Sequence, residues 1–133
     1  MNFAVNNQAP RRRKNGNAEA CIQAAVVEWI RVAAPGVFVF AVPNGGLRSK
    51  SEAARMKWTG TVAGVPDLCV IGPGGIAYFL EVKSAGGYLS TDQHSVLRTL
   101  SDIGARGAVV RSIDDARRAF SDWGIKTREH VGM

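Results

Sequence analysis

Gly64-Val-Pro-Asp67-Leu-Cys-Val-Ile71, then Gly72-Pro-Gly-Gly75, then Ile76-Ala-Tyr-Phe-Leu-Glu81-Val-Lys83 is the stretch that decides the fold. Two apolar runs rich in β-branched and aromatic residues, joined by a glycine turn, predict a β-hairpin with strands over 67–71 and 76–83. The turn is not a phosphate loop, because no Gly-Lys-Ser/Thr follows it. Successive side chains of a strand point to opposite faces. Ile76, Tyr78, Leu80 and Val82 therefore form one row, and Ala77, Phe79, Glu81 and Lys83 the other. Strands this apolar belong at the centre of a sheet. Asp67 opens the first, and Glu81 and Lys83 close the second on one shared face.

Charges at the end of a central strand are costly unless something uses them. Two carboxylates converging beside a lysine suit a hard divalent cation with oxygen ligands, Mg²⁺ or Mn²⁺. The lysine can hold or help deprotonate a water aimed at a phosphodiester, while the cation stabilises the developing charge. Pro-Asp, a spacer and Glu-x-Lys resemble the active-site signature of the PD-(D/E)xK nuclease superfamily. Each piece alone is ordinary: Asp after Pro is common in turns, and Glu-x-Lys is common at exposed strand ends.

Past Lys83, Ser90-Thr-Asp-Gln93 fits a capping box. It should open a helix that buries Val96, Leu97, Leu100 and Ile103 and ends at Gly104. Gln93 falls in its first turn, close to where Lys83 ends. Its amide either serves the cap alone or also orients a water or a metal-bound group. Residues 108–111 read as a further strand. Ser112-Ile-Asp-Asp115 caps a last helix to Phe120 or Trp123, and 124–133 should be a loose tail.

Before the hairpin, Cys21, Ile22, Ala25, Val26, Trp29, Ile30 and Ala33 recur at helical spacing, which predicts a helix over 18–33 stopped by Pro35-Gly36. At ~100° per residue, Glu28 lies on the solvent side, and Glu19 sits at the margin of the apolar stripe. Glu19 either complements the helix N-terminus or reaches a site under the sheet. Residues 37–42 form a strand. Ser49-Lys-Ser-Glu52 caps a short helix over 50–58. Arg48, Lys50, Arg55 and Lys57 make the segment 44–61 basic. It is either a solvated connection, long for one, or a grip on nucleic-acid phosphates. Residues 1–17, with Arg11-Arg12-Arg13-Lys14, read as a disordered basic arm: a solvated tail or a phosphate contact.

The chain of 133 residues suffices for one domain with one core. Its net charge of +6 and pI near 9.9 favour a polyanionic partner, nucleic acid first. No apolar run reaches the length of a membrane span, and the polar N-terminus lacks the apolar core of a secretory signal. Cys21 and Cys69 should be buried free thiols, too few for a zinc site. A cytoplasmic location, in a bacterial or phage-infected cell, is the expectation.

The order helix, strand, short helix, hairpin, helix, strand, helix predicts an α/β fold with a mixed central sheet flanked by helices. Over residues 18–123 the arrangement resembles the VRR-NUC domain, a branch of the PD-(D/E)xK superfamily with a restriction-endonuclease-like core. The resemblance rests on Glu19, Gly64-Val-Pro-Asp67, Glu81-Val-Lys83, Gln93 and Gly104. It implies that Asp67 and Glu81 ligate Mg²⁺ or Mn²⁺, with the Val82 carbonyl as a further ligand. It implies that Lys83 positions the attacking water, that Gln93 supports Lys83 or that water, and that Glu19 joins the outer shell or a second metal site. It also implies a homodimer acting on branched DNA such as four-way (Holliday) junctions. The basic arm and the extended 44–61 segment depart from many members. The main expectation is thus a metal-dependent structure-specific DNA endonuclease. The alternatives are a non-catalytic nucleic-acid-binding module of a replication or repair complex, and a structural partner whose charges are surface ion pairs.

Overall fold

The computed structural model describes residues 14–43 and 49–129. The elements are α1 (Lys14–Ala33), β1 (Phe38–Ala41), α2 (Lys50–Trp58), β2 (Leu68–Ile71), β3 (Ala77–Val82), α3 (Thr91–Asp102), β4 (Arg106–Val110) and α4 (Ile113–Trp123). The four strands form one sheet in the order β1-β2-β3-β4. β1–β2 and β2–β3 pair antiparallel, the latter with Leu68 opposite Leu80 and Ile71 opposite Ala77. β3–β4 is parallel, as the helical crossover through α3 requires. The α/β fold with a mixed, helix-flanked sheet is therefore as expected.

One face of the sheet carries Val39, Leu68, Val70, Tyr78, Leu80, Val82 and Val110, and α1 and α4 cover it with Val26, Ile30, Ala116 and Phe120. Tyr78 stacks on Trp123 at 4.7 Å between ring centres, and Trp29 meets Phe120 at 5.3 Å. α3 covers the opposite face near β4, where Leu97 lies over Gly107. Farther out on that second face, Phe38 and Phe40 of the edge strand stay exposed, their rings 5.6 Å apart. α2 buries no residue at all. It is held by its own caps, with Ser49 Oγ accepting from the Glu52 N–H.

Several expectations need correction. α1 begins at Lys14, inside the arm expected to be disordered; residues 1–13 lie outside the described residues. Full burial on α1 begins only at Val26, so Cys21 is exposed and Cys69 alone is buried. Ile103 is 76% exposed rather than buried, because α3 ends at Asp102 and the chain turns away through the left-handed Gly104. The strand expected over 108–111 starts at Arg106 and ends at Val110. The tail is docked as far as it is described. Ile125 is buried, the Arg128 N–H donates to the Ala33 carbonyl at 2.6 Å, and Glu129 accepts from Trp29 Nε1 and from Arg117 Nε. Glu129 thereby pins the end of the chain across α1 and α4.

Candidate active site

The charged residues converge where β2 begins and β3 ends. One step beyond the last antiparallel pair, Leu68–Leu80, Asp67 comes opposite Glu81. The Val82 N–H donates to Asp67 Oδ2 at 2.8 Å, and the Asp67 carbonyl accepts from Val42 at 2.8 Å. Asp67 is thus fixed from both neighbouring strands. The Val82 N–H is the group that meets Asp67; its carbonyl, expected as a further metal ligand, takes no part in that bond.

Glu81 is 1% exposed. Gln93 Nε2 donates to its Oε1 at 2.9 Å, while Oε2 is buried with no hydrogen-bond partner. Burial, and after it the adjacent Asp67 carboxylate, push the Glu81 carboxyl up to about 9; Lys83 opposes this and Glu19 adds to it. The orphan oxygen and the raised pKa have one origin. Two ionised carboxylates cannot donate to each other, so only a shared proton or a cation relieves the pair.

Gln93 serves the cap and the site at once. Its side-chain oxygen accepts from the Ser90 N–H at 2.9 Å and its N–H donates to Ser90 Oγ, completing the capping box. That cap fixes the amide so that Nε2 faces Glu81. The helix start is placed in turn by Gly64, at φ 89°. A Cβ on Gly64 would lie 2.4 Å from the Asp92 carbonyl carbon and 2.7 Å from the Gln93 nitrogen. Only a glycine lets the loop leading to Asp67 touch the backbone of α3 this closely.

Lys83 is buried to 8% exposure, and its N–H donates to the Val110 carbonyl at 3.0 Å. Its ammonium lies 4.0 Å from Glu19 Oε1. Glu19 stands five residues into α1, which begins at Lys14, with the Lys83 ammonium at the outer limit of an ion pair. Arg111, not singled out from the sequence, ties down the turn after Lys83. Its Nη1 donates to the carbonyls of Ser84 at 2.5 Å and Gly87 at 2.9 Å. Gly87 packs so closely that a Cβ would stand 3.2 Å from Ser84 Oγ and 3.4 Å from Glu19 Oε1. The adjacent Gly86-Gly87 pair was the only signal of this in the sequence.

The donor set fits a hard divalent cation. An unpartnered buried carboxylate oxygen facing a second carboxylate is what such an ion neutralises. Among the described residues no three His, Cys, Asp or Glu side chains form a cage.

Lys50, Arg55 and Lys57 stand exposed on α2, and no ion pair holds them among the described residues. Arg48 lies outside the described residues.

The family model of the VRR-NUC domain matches residues 11–114. A solved structure described as a VRR_NUC domain aligns with a TM-score of 0.57 at 22% identity, over 79% of this chain and 96% of its own. A second, described as a VRR_NUC domain protein, aligns with a TM-score of 0.61 at 24% identity, over 77% of this chain and 84% of its own. At these identities the likeness speaks for the fold. The comparison with curated proteins gives no significant match.

Proposed function

The chain belongs to the VRR-NUC family of nuclease-type domains that act on DNA, and from that premise we propose a Mg²⁺- or Mn²⁺-dependent endonuclease that hydrolyses phosphodiester bonds in branched DNA. The observation that carries this reading is the buried, unpartnered Glu81 Oε2 facing Asp67, two residues from Lys83. A structural ion-pair role would leave no reason for a second carboxylate at that place.

In this reading Asp67 and Glu81 hold the cation. Bound there, it supplies Lewis-acid stabilisation of negative charge on the phosphoryl oxygens. The Val82 N–H and the Gln93 amide keep the two carboxylates aimed. Lys83, braced by Glu19 and by the Arg111-held turn, orients the attacking water and offsets charge as its oxygen adds to phosphorus. The phosphorus bond to the leaving oxygen then breaks; the attacking water gives up its proton to solvent and the leaving oxygen takes one up. Lys50, Arg55 and Lys57 supply contacts to flanking phosphates. A homodimer suits a junction, because a two-fold axis presents two sites to two strands. The uncovered Phe38 and Phe40 on edge strand β1 support such a contact.

The test is cleavage of end-labelled four-way junction, flap and plain duplex in Mg²⁺, Mn²⁺ or EDTA. Paired nicks across the junction, only with metal, are expected. Glu81→Gln should lower the rate by about 10²–10³-fold or more with the fold kept. Lys83→Ala should lower it by roughly 10²–10⁴-fold. Cleavage by Glu81→Gln at the wild-type rate would overturn the assignment. Binding without cutting in any metal would favour the non-catalytic module.

A further inference from the structure

We propose that Trp58 is a stacking platform for an unpaired nucleobase, which makes α2 the element that tells single-stranded or branched DNA from intact duplex. Trp58 is 87% exposed and has no ring contact or hydrogen bond among the described residues. The other two tryptophans, Trp29 and Trp123, are half-buried against Phe120 and Tyr78. An indole left in water at the end of a helix with no buried residue contributes nothing to the fold.

Its surroundings select the partner. Arg55 lies one turn back on the same face, Lys57 is adjacent and Lys50 stands at the helix start, against the single acidic Glu52. The other exposed residues along this stretch, Ala53, Ala54, Thr59, Thr61 and Ala63, are small or polar, and Val62, 54% exposed, is the one further large apolar side chain there. A second copy seated here across a two-fold axis would bring the same cations face to face, which repels. Cations that track a phosphate chain beside one aromatic face are the elements of a single-strand binding surface. In an intact duplex the faces of internal bases are covered by their neighbours. Trp58 can therefore engage only bases that a branch, flap or gap has freed.

The platform is within reach of the carboxylates. Trp58 and Gly64 are six positions apart in the chain, so their Cα atoms are at most about 22 Å apart. Gly64 rests on the backbone of Gln93, whose amide holds Glu81. The stacked base would thus lie a few nucleotides from the bond cut. The inference rests on the nuclease reading for that last step only.

The experiment is binding in EDTA, where cleavage is absent, with oligo-dT, an immobile four-way junction and a blunt duplex as probes. Subtracting the emission of Trp58→Phe from wild type isolates Trp58, and its quenching by oligo-dT is expected. Trp58→Ala should weaken oligo-dT and junction binding by about 5–100-fold and Trp58→Phe by no more than about threefold. Blunt-duplex binding by Trp58→Ala should stay near wild type. Equal affinities of wild type and Trp58→Ala for all three probes would overturn the proposal, as would equal weakening on the duplex. Quenching of Trp58 by raising protein concentration without DNA would overturn it too, assigning the surface to a second copy. Wild type that cuts in Mn²⁺ while Trp58→Ala is unchanged leaves the nuclease reading standing and removes this one. Stacking without cutting does the reverse.

Discussion

With no cation bound, the Asp67–Glu81 pair keeps a proton at neutral pH, since burial and the neighbouring carboxylate push the Glu81 carboxyl up to about 9. In the unfolded chain that group ionises near its ordinary 4.5. Between those values the native state binds a proton that the unfolded state has released, so stability falls as pH rises. The contribution is complete at acid pH, below the unfolded value, and is lost as pH climbs toward about 9. The slope in that window is on the order of 1 kcal/mol per pH unit. Melting curves in EDTA at pH 5, 6.5 and 8 should therefore show a falling Tm, and Glu81→Gln should lose most of that fall. Adding Mn²⁺ should restore wild-type Tm at pH 8 and do much less for Glu81→Gln. A wild-type Tm that rises from pH 5 to 8 in EDTA would show that the carboxyl is ionised and already paired. That Glu81 and Lys83 share a face was legible in the sequence because strand alternation is a rigid rule, and Asp67 because it opens the other strand of the hairpin. The double duty of Gln93 was legible only as one of two alternatives, and its partner Glu81 was not, since the direction of an amide depends on which helix start it caps and what lies beneath.

The loop from α2 to β2 is read best through its glycines. Gly64 and Gly60 both sit at positive φ, 89° and 107°. At Gly60 a Cβ would meet open space, while at Gly64 it would strike the backbone of Asp92 and Gln93. Gly60→Ala should cost only the backbone strain, about 1 kcal/mol. Gly64→Ala adds a clash with main chain that cannot rotate away, for a loss of about 2–4 kcal/mol. It should also displace Gln93 from Glu81 and lower cleavage well beyond any change made by Gly60→Ala. Matched denaturation and cleavage assays on the two variants decide this, and equal effects would remove Gly64 from the support of the site. The sequence marked the starts of α2, α3 and α4 and the end of α3 well, because Ser49, Ser90, Ser112 and Gly104 act locally. Contacts between distant segments left no such mark. Arg111 reaching the carbonyls of Ser84 and Gly87, and Glu129 tying the tail to Trp29 and Arg117, depend on tertiary placement that no local pattern encodes.

Across the molecule, stability and DNA contact fall to different parts of the chain. Among the described residues, the buried ones lie on the sheet, α1, α3, α4, the loops beside them and the docked tail, whereas α2 buries none. The triple substitution Lys50→Ala, Arg55→Ala, Lys57→Ala should therefore leave Tm nearly unchanged, because surface changes away from packed features stay within about 0.5 kcal/mol each. Its effect should instead appear in the salt dependence of binding. Each phosphate contact contributes ~0.9 to the slope of log K against log salt on duplex DNA, and ~0.7 on single strands. Three lost contacts should flatten the slope by roughly 2–3 and weaken binding most at low salt. Trp58→Ala acts through stacking, so it should shift affinity while leaving that slope in place. Titrations from 50 to 300 mM salt in EDTA, on wild type and both variants, separate the two contributions. An unchanged slope in the triple variant would move the phosphate-binding surface off α2. A lower Tm in that variant would mean that the helix supports the core after all.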